Sequence, residues 1–98
     1  MEKDTYITEV TFRKFKDGQV IALLPHEVSD YDGNITSYMH IGQHSSATYN
    51  HVVSMTKLAT PRDYADLLAE MESLGYNIKV ISKQNRTKYI ANYRELRS

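Results

Sequence analysis

Residues 60–75, TPRDYADLLAEMESLG, contain the signals that decide the fold. Thr60 is a favourable N-cap, and Pro61 suits the first helical position, where no N–H is needed. Asp63 follows the cap by three residues, as in a capping box, and its charge favours the positive end of the helix dipole. Apolar side chains then recur at helical spacing: Tyr64, Leu67, Leu68, Met71 and Leu74. Gly75 can adopt the positive φ that ends a helix, so we predict a helix at about 61–74 packed on a sheet.

Segments on both sides of this helix have the character of β-strands. Residues 6–16 alternate and are rich in β-branched and aromatic side chains, and the pair Asp17-Gly18 after them is a hairpin signal. The apolar run 20–24 predicts a central strand, which we expect Pro25 to end. Residues 43–50 are typical of a loop or a single helical turn. Further strands are predicted at residues 34–41, 51–58 and 76–82.

These elements predict an α+β fold with a single mixed, mainly antiparallel five-stranded sheet and one main helix on one face. The order strand, helix, strand around residues 61–74 implies a right-handed crossover between parallel neighbours. We expect residues 1–82 to form one domain. Residues 83–98 would be a basic amphipathic tail or a short C-terminal helix, docked in the same chain or across a dimer. Its candidate docking place is the acidic outer surface of the main helix, formed by Asp63, Asp66 and Glu70.

The charge balance excludes a strong global attraction to nucleic acid or acidic lipid. The 98 residues include 12 bases and 12 acids. The bases are concentrated at the end, because residues 1–78 carry eleven acids and six bases, whereas residues 79–98 carry six bases and one acid. The absence of cysteine excludes disulfides, thiol catalysis and thiolate metal sites. No apolar run approaches the ~20 residues of a membrane span, and residues 1–5 do not begin a signal peptide, so we expect a cytoplasmic protein.

Three stretches together resemble a family of small uncharacterised bacterial proteins, often encoded near phage or other mobile elements. They are RKFKDGQVIALLP (13–25), IGQHSSA (41–47) and LATPRDYADLLAEMESLGYNIKV (58–80). The resemblance spans residues 10–80. It implies no enzymatic activity, since the family has none assigned, and it does not cover the tail.

Four histidines raise the question of a metal site: His26, His40, His44 and His51. His40 and His44 form H-x-x-x-H, but Gly42 between them argues against the helix that gives this spacing its meaning. Metal sites also need a further ligand and supporting partners. We therefore predict no metal and no cofactor, and expect histidines that are exposed or hydrogen-bonded.

The most function-like polar stretch is a candidate loop formed by Gly42, Gln43, His44 and Ser45. Such a loop at a strand end is where fold-supported sites usually lie. His44 can be a general base, and Ser45 or Ser46 a nucleophile. Asp30 or Asp32 would then orient the histidine. No glycine-rich nucleophile elbow is present, so a tight structural turn is the favoured interpretation, and a small hydrolase or metal protein using His40 and His44 is an alternative.

The basic tail provides a second alternative, weak binding of nucleic acid. Arg86, Lys88, Arg94 and Arg97 would contact phosphates, and Tyr89 and Tyr93 would stack on bases. The competing interpretation is that these charges only solubilise an amphipathic tail.

The favoured function is protein interaction without enzymatic activity, most simply as a homodimer. Tyr38 and His40 are predicted on the sheet face opposite the main helix, which stays open unless the tail or a second subunit covers it. The chain has eight tyrosines, and tyrosine suits half-buried contact surfaces. Pairing of edge strands is another route to the same dimer.

Overall fold

The computed structural model describes residues 6–39 and 43–97 and has an α+β fold, as predicted. Its strands are β1 (Ile7–Phe15), β2 (Val20–Val28), β3 (Ile35–Met39), β4 (Gln43–Ala47), β5 (Thr56–Leu58) and β6 (Asn77–Val80). Its helices are α1 (Tyr49–Met55), α2 (Pro61–Ser73) and α3 (Arg86–Arg97). None of these helices is long and apolar enough to cross a membrane.

The six described strands form one mainly antiparallel sheet in the order β4-β3-β2-β1-β5, with β6 also paired to β1. The carbonyls of Val10 and Phe12 point to the same edge of β1, because alternate residues of a strand do so. They accept hydrogen bonds from the N–H groups of Ile81 (2.8 Å) and Ala59 (3.0 Å). β5 and β6 therefore lie one after the other along this edge, β5 antiparallel and β6 parallel to β1. The predicted crossover between parallel neighbours is wrong, since three-residue β5 leaves room beside β1 for β6.

Helices cover both faces of the sheet. On one face, α2 buries Leu67 and Met71 against a cluster from the sheet: Val10, Phe12, Ala22, Leu24 and Tyr38. On the other face, Val52 of α1 and Tyr89 of α3 pack on a second cluster that contains Ile21, Leu23 and Ile35. The face opposite the main helix is thus covered largely by the chain's own helices α1 and α3.

The start of α2 has the predicted capping box. Thr60 Oγ1 accepts from the Asp63 N–H at 3.3 Å, and Asp63 Oδ2 accepts from the Thr60 N–H at 3.0 Å. This backbone hydrogen bond and the Lys14 ammonium, 3.1 Å from Asp63 Oδ1, lower the pKa of Asp63 to about 2. Gly75, with φ of 102°, follows the helix as predicted.

Two predictions around β2 and α1 are wrong. β2 continues through Pro25 because the pairing of β2 with β3 shifts register between Leu24 and Val28, and a proline is tolerated at such an irregularity. Residues 51–58 were predicted as a strand but form most of α1 followed by β5. Arg13 stabilises this helix, since its Nη2 donates to the carbonyls of Val53 (3.2 Å) and Thr56 (2.8 Å) at the helix C-terminus.

The C-terminal segment is a helix, and it docks on the sheet instead of on the acidic surface of α2. The hydroxyls of Tyr89 and Tyr93 donate to the carbonyls of Gly33 and Tyr31, both at 2.7 Å. Asn92 Nδ2 donates to the His26 carbonyl at 2.6 Å. Backbone carbonyls of the loop before β3 therefore accept hydrogen bonds from α3. The prediction had assigned this role to the carboxylates on the outer surface of α2.

Gly33 is the position where this docking tolerates no side chain. Its φ is 86°, and a Cβ there would lie 2.5 Å from the Tyr89 hydroxyl oxygen. Gly18 has a similar φ of 94° but open space around it. We expect Gly18→Ala to cost about 1 kcal/mol for the backbone conformation alone. Gly33→Ala should cost about 1 kcal/mol more, because the Tyr89 hydrogen bond is lost as well. Urea unfolding of both variants measures the difference, and equal costs would contradict this role of Gly33.

Candidate functional site

The predicted loop site is replaced by a strand where the structure describes it. His40 and Gly42 lie outside the described residues. Gln43 and His44 begin β4, where their backbones pair with Met39 and Tyr38 of β3. This strand was missed because small polar residues give no strand signal and the pairing with β3 is what specifies it.

Ser45 and Ser46 have different surroundings, because successive residues of a strand face opposite sides of the sheet. The Ser46 hydroxyl shares a hydrogen bond with the Ser29 hydroxyl and lies 3.5 Å from Asp30 Oδ2. The Ser45 hydroxyl donates to the carbonyl of Ser46 at 3.4 Å. Of the predicted nucleophiles, the structure thus brings Ser46, and not Ser45, to the predicted carboxylate.

The Asp30 carboxylate is engaged in holding its own turn. It accepts from the Asn34 side-chain amide (2.9 Å) and from the backbone N–H groups of Asn34 (3.1 Å) and Asp32 (3.0 Å). These hydrogen bonds, the one from the Asn34 side chain first, lower the pKa of Asp30. These hydrogen bonds shape the loop on which α3 docks. This structural role accounts for the position of the Asp30 carboxylate.

Tyr38 does not lie where it was predicted. Its side chain is 1% exposed and packs in the cluster beneath α2, with its hydroxyl hydrogen-bonded to Glu70 of that helix. The alternation of β3 is as expected, but the face assignment is reversed, because Ile35 and not Tyr38 faces the side of α1 and α3. Tyr38 is therefore a core residue and not part of an interaction face.

The candidate nucleic-acid contacts are mostly engaged within the chain. The Arg86 guanidinium lies 5.0 Å from the centre of the Tyr89 ring and donates to Gln84 Oε1 at 3.0 Å. Lys88 Nζ donates to Glu9 Oε1 at 2.8 Å. Arg94 is exposed, and the side chain of Arg97 lies outside the described part of the structure. The hydroxyls of Tyr89 and Tyr93 are hydrogen-bonded to the loop before β3, and their rings stack on each other with centroids 6.2 Å apart.

A cluster that the sequence analysis missed joins β1, β2 and α3. His26 Nε2 accepts from the backbone N–H of Asn85 at 2.7 Å, so this nitrogen carries no proton. The proton of the neutral ring is then on Nδ1, which donates to Glu9 Oε1 at 3.1 Å. The same oxygen accepts from Lys88, and this hydrogen bond is the main reason why the pKa of Glu9 is lowered. The available signal was His26, a polar residue directly after the apolar run 20–25 of β2, whereas nothing marks Glu9 within β1, which contains several other polar residues.

This cluster lines a groove of about 680 Å³ between α3 and the ends of β1 and β2. Apolar side chains at its margin include Ile7, Val28 and Leu96. The three polar side chains satisfy one another and the backbone at the start of α3, so they act as a clamp on that helix. Within residues 6–39 and 43–97, no group of three or more histidines and carboxylates is arranged to hold a metal ion.

The two edges of the sheet differ in their chemistry. β4 ends the described sheet on one side, and its sequence QHSSA has no lysine, arginine, carboxylate or proline. On the other side, β5 and β6 carry the exposed residues Lys57 and Lys79. Lysines on an edge strand oppose pairing with another strand of like charge. Among the edge strands that the structure describes, only β4 is without such protection.

The Glu9 cluster predicts a pH-dependent stability. The pKa of Glu9 is lowered from 4.5 on folding, so its contribution is present above pH 4.5 and is lost as the pH falls through the folded pKa. We expect Glu9→Gln to destabilise by up to about 1 kcal/mol at neutral pH, because Lys88 is half exposed and solvent screens the pair. The difference should disappear at low pH, once the pH has fallen through the folded pKa of Glu9 and both proteins are neutral at this site.

Urea unfolding of the wild type and Glu9→Gln at both pH values measures this effect. Glu72→Gln, at an exposed position of α2, is the control for the loss of one negative charge. A destabilisation by Glu9→Gln that persisted at low pH would mean that the amide disturbs packing and that the ion pair is not its cause.

Comparison with known proteins provides no relative from which a role can be transferred. No protein-family model matches the chain, and no match was found among curated proteins or among solved structures. The resemblance to small bacterial proteins therefore stays a prediction, and the functional argument depends on the surfaces of the molecule itself.

Proposed function

We propose that the protein is a small protein-interaction module that self-associates as a homodimer and performs no chemistry of its own. The contact is the open edge of β4, paired with β4 of a second copy. The observation that carries this proposal is the contrast between the two sheet edges. Among the described edge strands β4, β5 and β6, only β4 has no lysine, arginine, carboxylate or proline.

The pairing of β4 with β3 prepares β4 for a second partner. Five consecutive residue pairs, from Met39↔Gln43 to Ile35↔Ala47, hold the strand in an extended conformation. The backbone groups on its outer side are then positioned for a further antiparallel strand. A two-fold axis through the middle of β4 places the strand opposite itself, which is the closed, isologous contact typical of dimers.

The side chains of β4 also suit a self-complementary contact. Ser45, at the centre of the strand, is small and uncharged, so the same residue of a second copy can lie opposite it without repulsion. A five-residue strand forms a small interface, and interfaces of this size give weak, reversible association. We therefore expect the dimer to be populated at high protein concentration.

The two alternatives have less support. Binding of nucleic acid by α3 would compete with the hydrogen bonds of Lys88, Tyr89 and Tyr93 to the rest of the chain. Hydrolysis at the start of β4 would need Asp30 to orient a histidine, while its carboxylate already serves Asn34 and Asp32. We propose neither.

Ser45→Lys tests the β4 contact. In a two-fold dimer the new side chains lie opposite each other, and like charges in directly opposed positions destabilise a strand pair. Ser73→Lys, at an exposed position near the end of α2, adds the same charge away from the edge. Sedimentation equilibrium from about 10 µM to about 1 mM should show at least roughly tenfold weaker dimerisation for Ser45→Lys and no change for Ser73→Lys.

Urea unfolding of both variants establishes that each is folded. A wild type that remains monomeric over the whole concentration range would refute self-association. Equal dissociation constants for the wild type and Ser45→Lys would refute the assignment of the contact to β4.

A further inference from the structure

The ring of His26 is placed so that it can hold α3 only while it is neutral. It is 9% exposed and lies between β1 and the start of α3. Its Nε2 accepts from the Asn85 N–H at 2.7 Å, and its Nδ1 donates to Glu9 Oε1 at 3.1 Å. An imidazolium donates from both nitrogens and accepts at neither. Protonation of Nε2 would therefore set two donors against each other and remove the hydrogen bond from Asn85.

Asn85 is the residue from which α3 begins. Its side-chain oxygen accepts from the Lys88 N–H at 3.2 Å, and its carbonyl accepts from the Tyr89 N–H at 3.0 Å. The contact with His26 thus holds the N-cap position of α3 on the sheet. A positive charge on the ring would also face the positive end of the helix dipole. Both effects make the docked helix less stable when His26 is charged.

A third effect comes from Lys88 of α3. Its Nζ donates to Glu9 Oε1 at 2.8 Å, and the same oxygen accepts from His26. An ammonium and an imidazolium would then share one carboxylate oxygen, and like charges at such close range disfavour each other. Release of α3 removes the ammonium and leaves the carboxylate to the ring alone.

Glu9 favours a charged ring, but it does so whether or not α3 is docked. Glu9 is on β1 and His26 is on β2, so their contact remains when the helix leaves the sheet. The three unfavourable contacts of a charged ring, in contrast, exist only in the docked form. The open form therefore binds a proton at His26 better than the docked form does, and it is favoured as the pH falls.

The other charged groups around the ring leave the direction of this effect unchanged. Lys79 of β6 lies opposite Glu9 in the strand register, and Glu27 of β2 lines the groove, so both are present in either form. Glu95 lines the groove from α3 and leaves together with that helix. It lies about two helical turns beyond Lys88, so its attraction for the ring is weaker than the repulsion by Lys88.

We propose that α3 is a pH-sensitive cover of the sheet, which is released when His26 takes up a proton. Histidine changes its charge between roughly pH 5 and 8, so the helix is docked at the upper end of this range and opens toward the lower end. Gln84 keeps the segment before α3 attached, since its Nε2 donates to the Pro25 carbonyl at 2.8 Å. Opening uncovers the part of the second apolar cluster on which Tyr89 packs. This release does not depend on the β4 contact.

Amide hydrogen exchange of the full chain measures the opening. Protection factors, corrected for the intrinsic exchange rate at each pH, are compared between α3 and α2 at about pH 7.5 and about pH 5. Glu9 remains charged at about pH 5, since the hydrogen bond from Lys88 lowers its pKa from 4.5. Protection of α3 should fall at least about fivefold toward the lower pH, as expected for the loss of one hydrogen bond and one helix-dipole interaction, while α2 stays protected. Protection of α3 that does not change, or that changes in step with α2, would overturn the proposal.

His26→Gln identifies the titrating group. The glutamine side chain has an oxygen that can accept from the Asn85 N–H, and it takes up no proton in this pH range, so the fall in α3 protection should disappear. His51→Gln, at an exposed position of α1, is the matched control and should show the same fall as the wild type. A fall that persisted in His26→Gln would overturn the assignment to His26.

Nuclear magnetic resonance of the wild-type imidazole nitrogens tests the docked state without any substitution. It should show the proton of neutral His26 on Nδ1, because Nε2 accepts from Asn85. This measurement decides the case in which His26→Gln fails to dock α3 at either pH. A proton found on Nε2 would show that the hydrogen bond from Asn85 is not formed, and it would overturn the proposal.

Discussion

The structure depends on β1, which pairs with β2 on one edge and with both β5 and β6 on the other. Its side chains also reach all three helices. Arg13 donates to the carbonyls at the end of α1, Lys14 pairs with Asp63 at the start of α2, and Glu9 accepts from Lys88 of α3. One strand thus fixes the position of all three helices. The contacts of Arg13 and Lys14 lie at helix ends, and the contact of Glu9 lies on the side of α3.

The attachment of α3 to the rest of the described chain is mainly polar. This helix is held mainly by hydrogen bonds and one ion pair, whereas its aliphatic residues Ile90 and Leu96 stay more than a third exposed. Segments with few buried apolar contacts open at lower free energy than the core. We therefore expect α3 to open before the sheet does. The face predicted to be free for a partner is consequently covered, but by a helix whose attachment is polar.

Sequence reasoning succeeded where the signals are local. The capping residues, the apolar stripe and the closing glycine of α2 all lie within residues 60–75, so the helix could be read directly. α1 depends on a distant group, because Arg13, which hydrogen-bonds to carbonyls at its C-terminus, is about 40 residues away. β4 pairs with the neighbouring strand β3, but its small polar residues give no strand signal of their own. Tyr38 shows a further limit. Alternation correctly separates two faces of a strand, but it does not say which helix covers which face when both are covered.

The cluster around His26 also could not be predicted from local signals, because the partners of His26 are 17 and 59 residues away in sequence. What the sequence does contain is the chemistry of the two edges, because Ser45 and Ser46 of β4 and the lysines of β5 and β6 can be identified once the strands are placed. A lysine on an edge strand repels a copy of the same edge. Since β1, β2 and β3 separate the two edges, a contact at one edge does not obstruct the other.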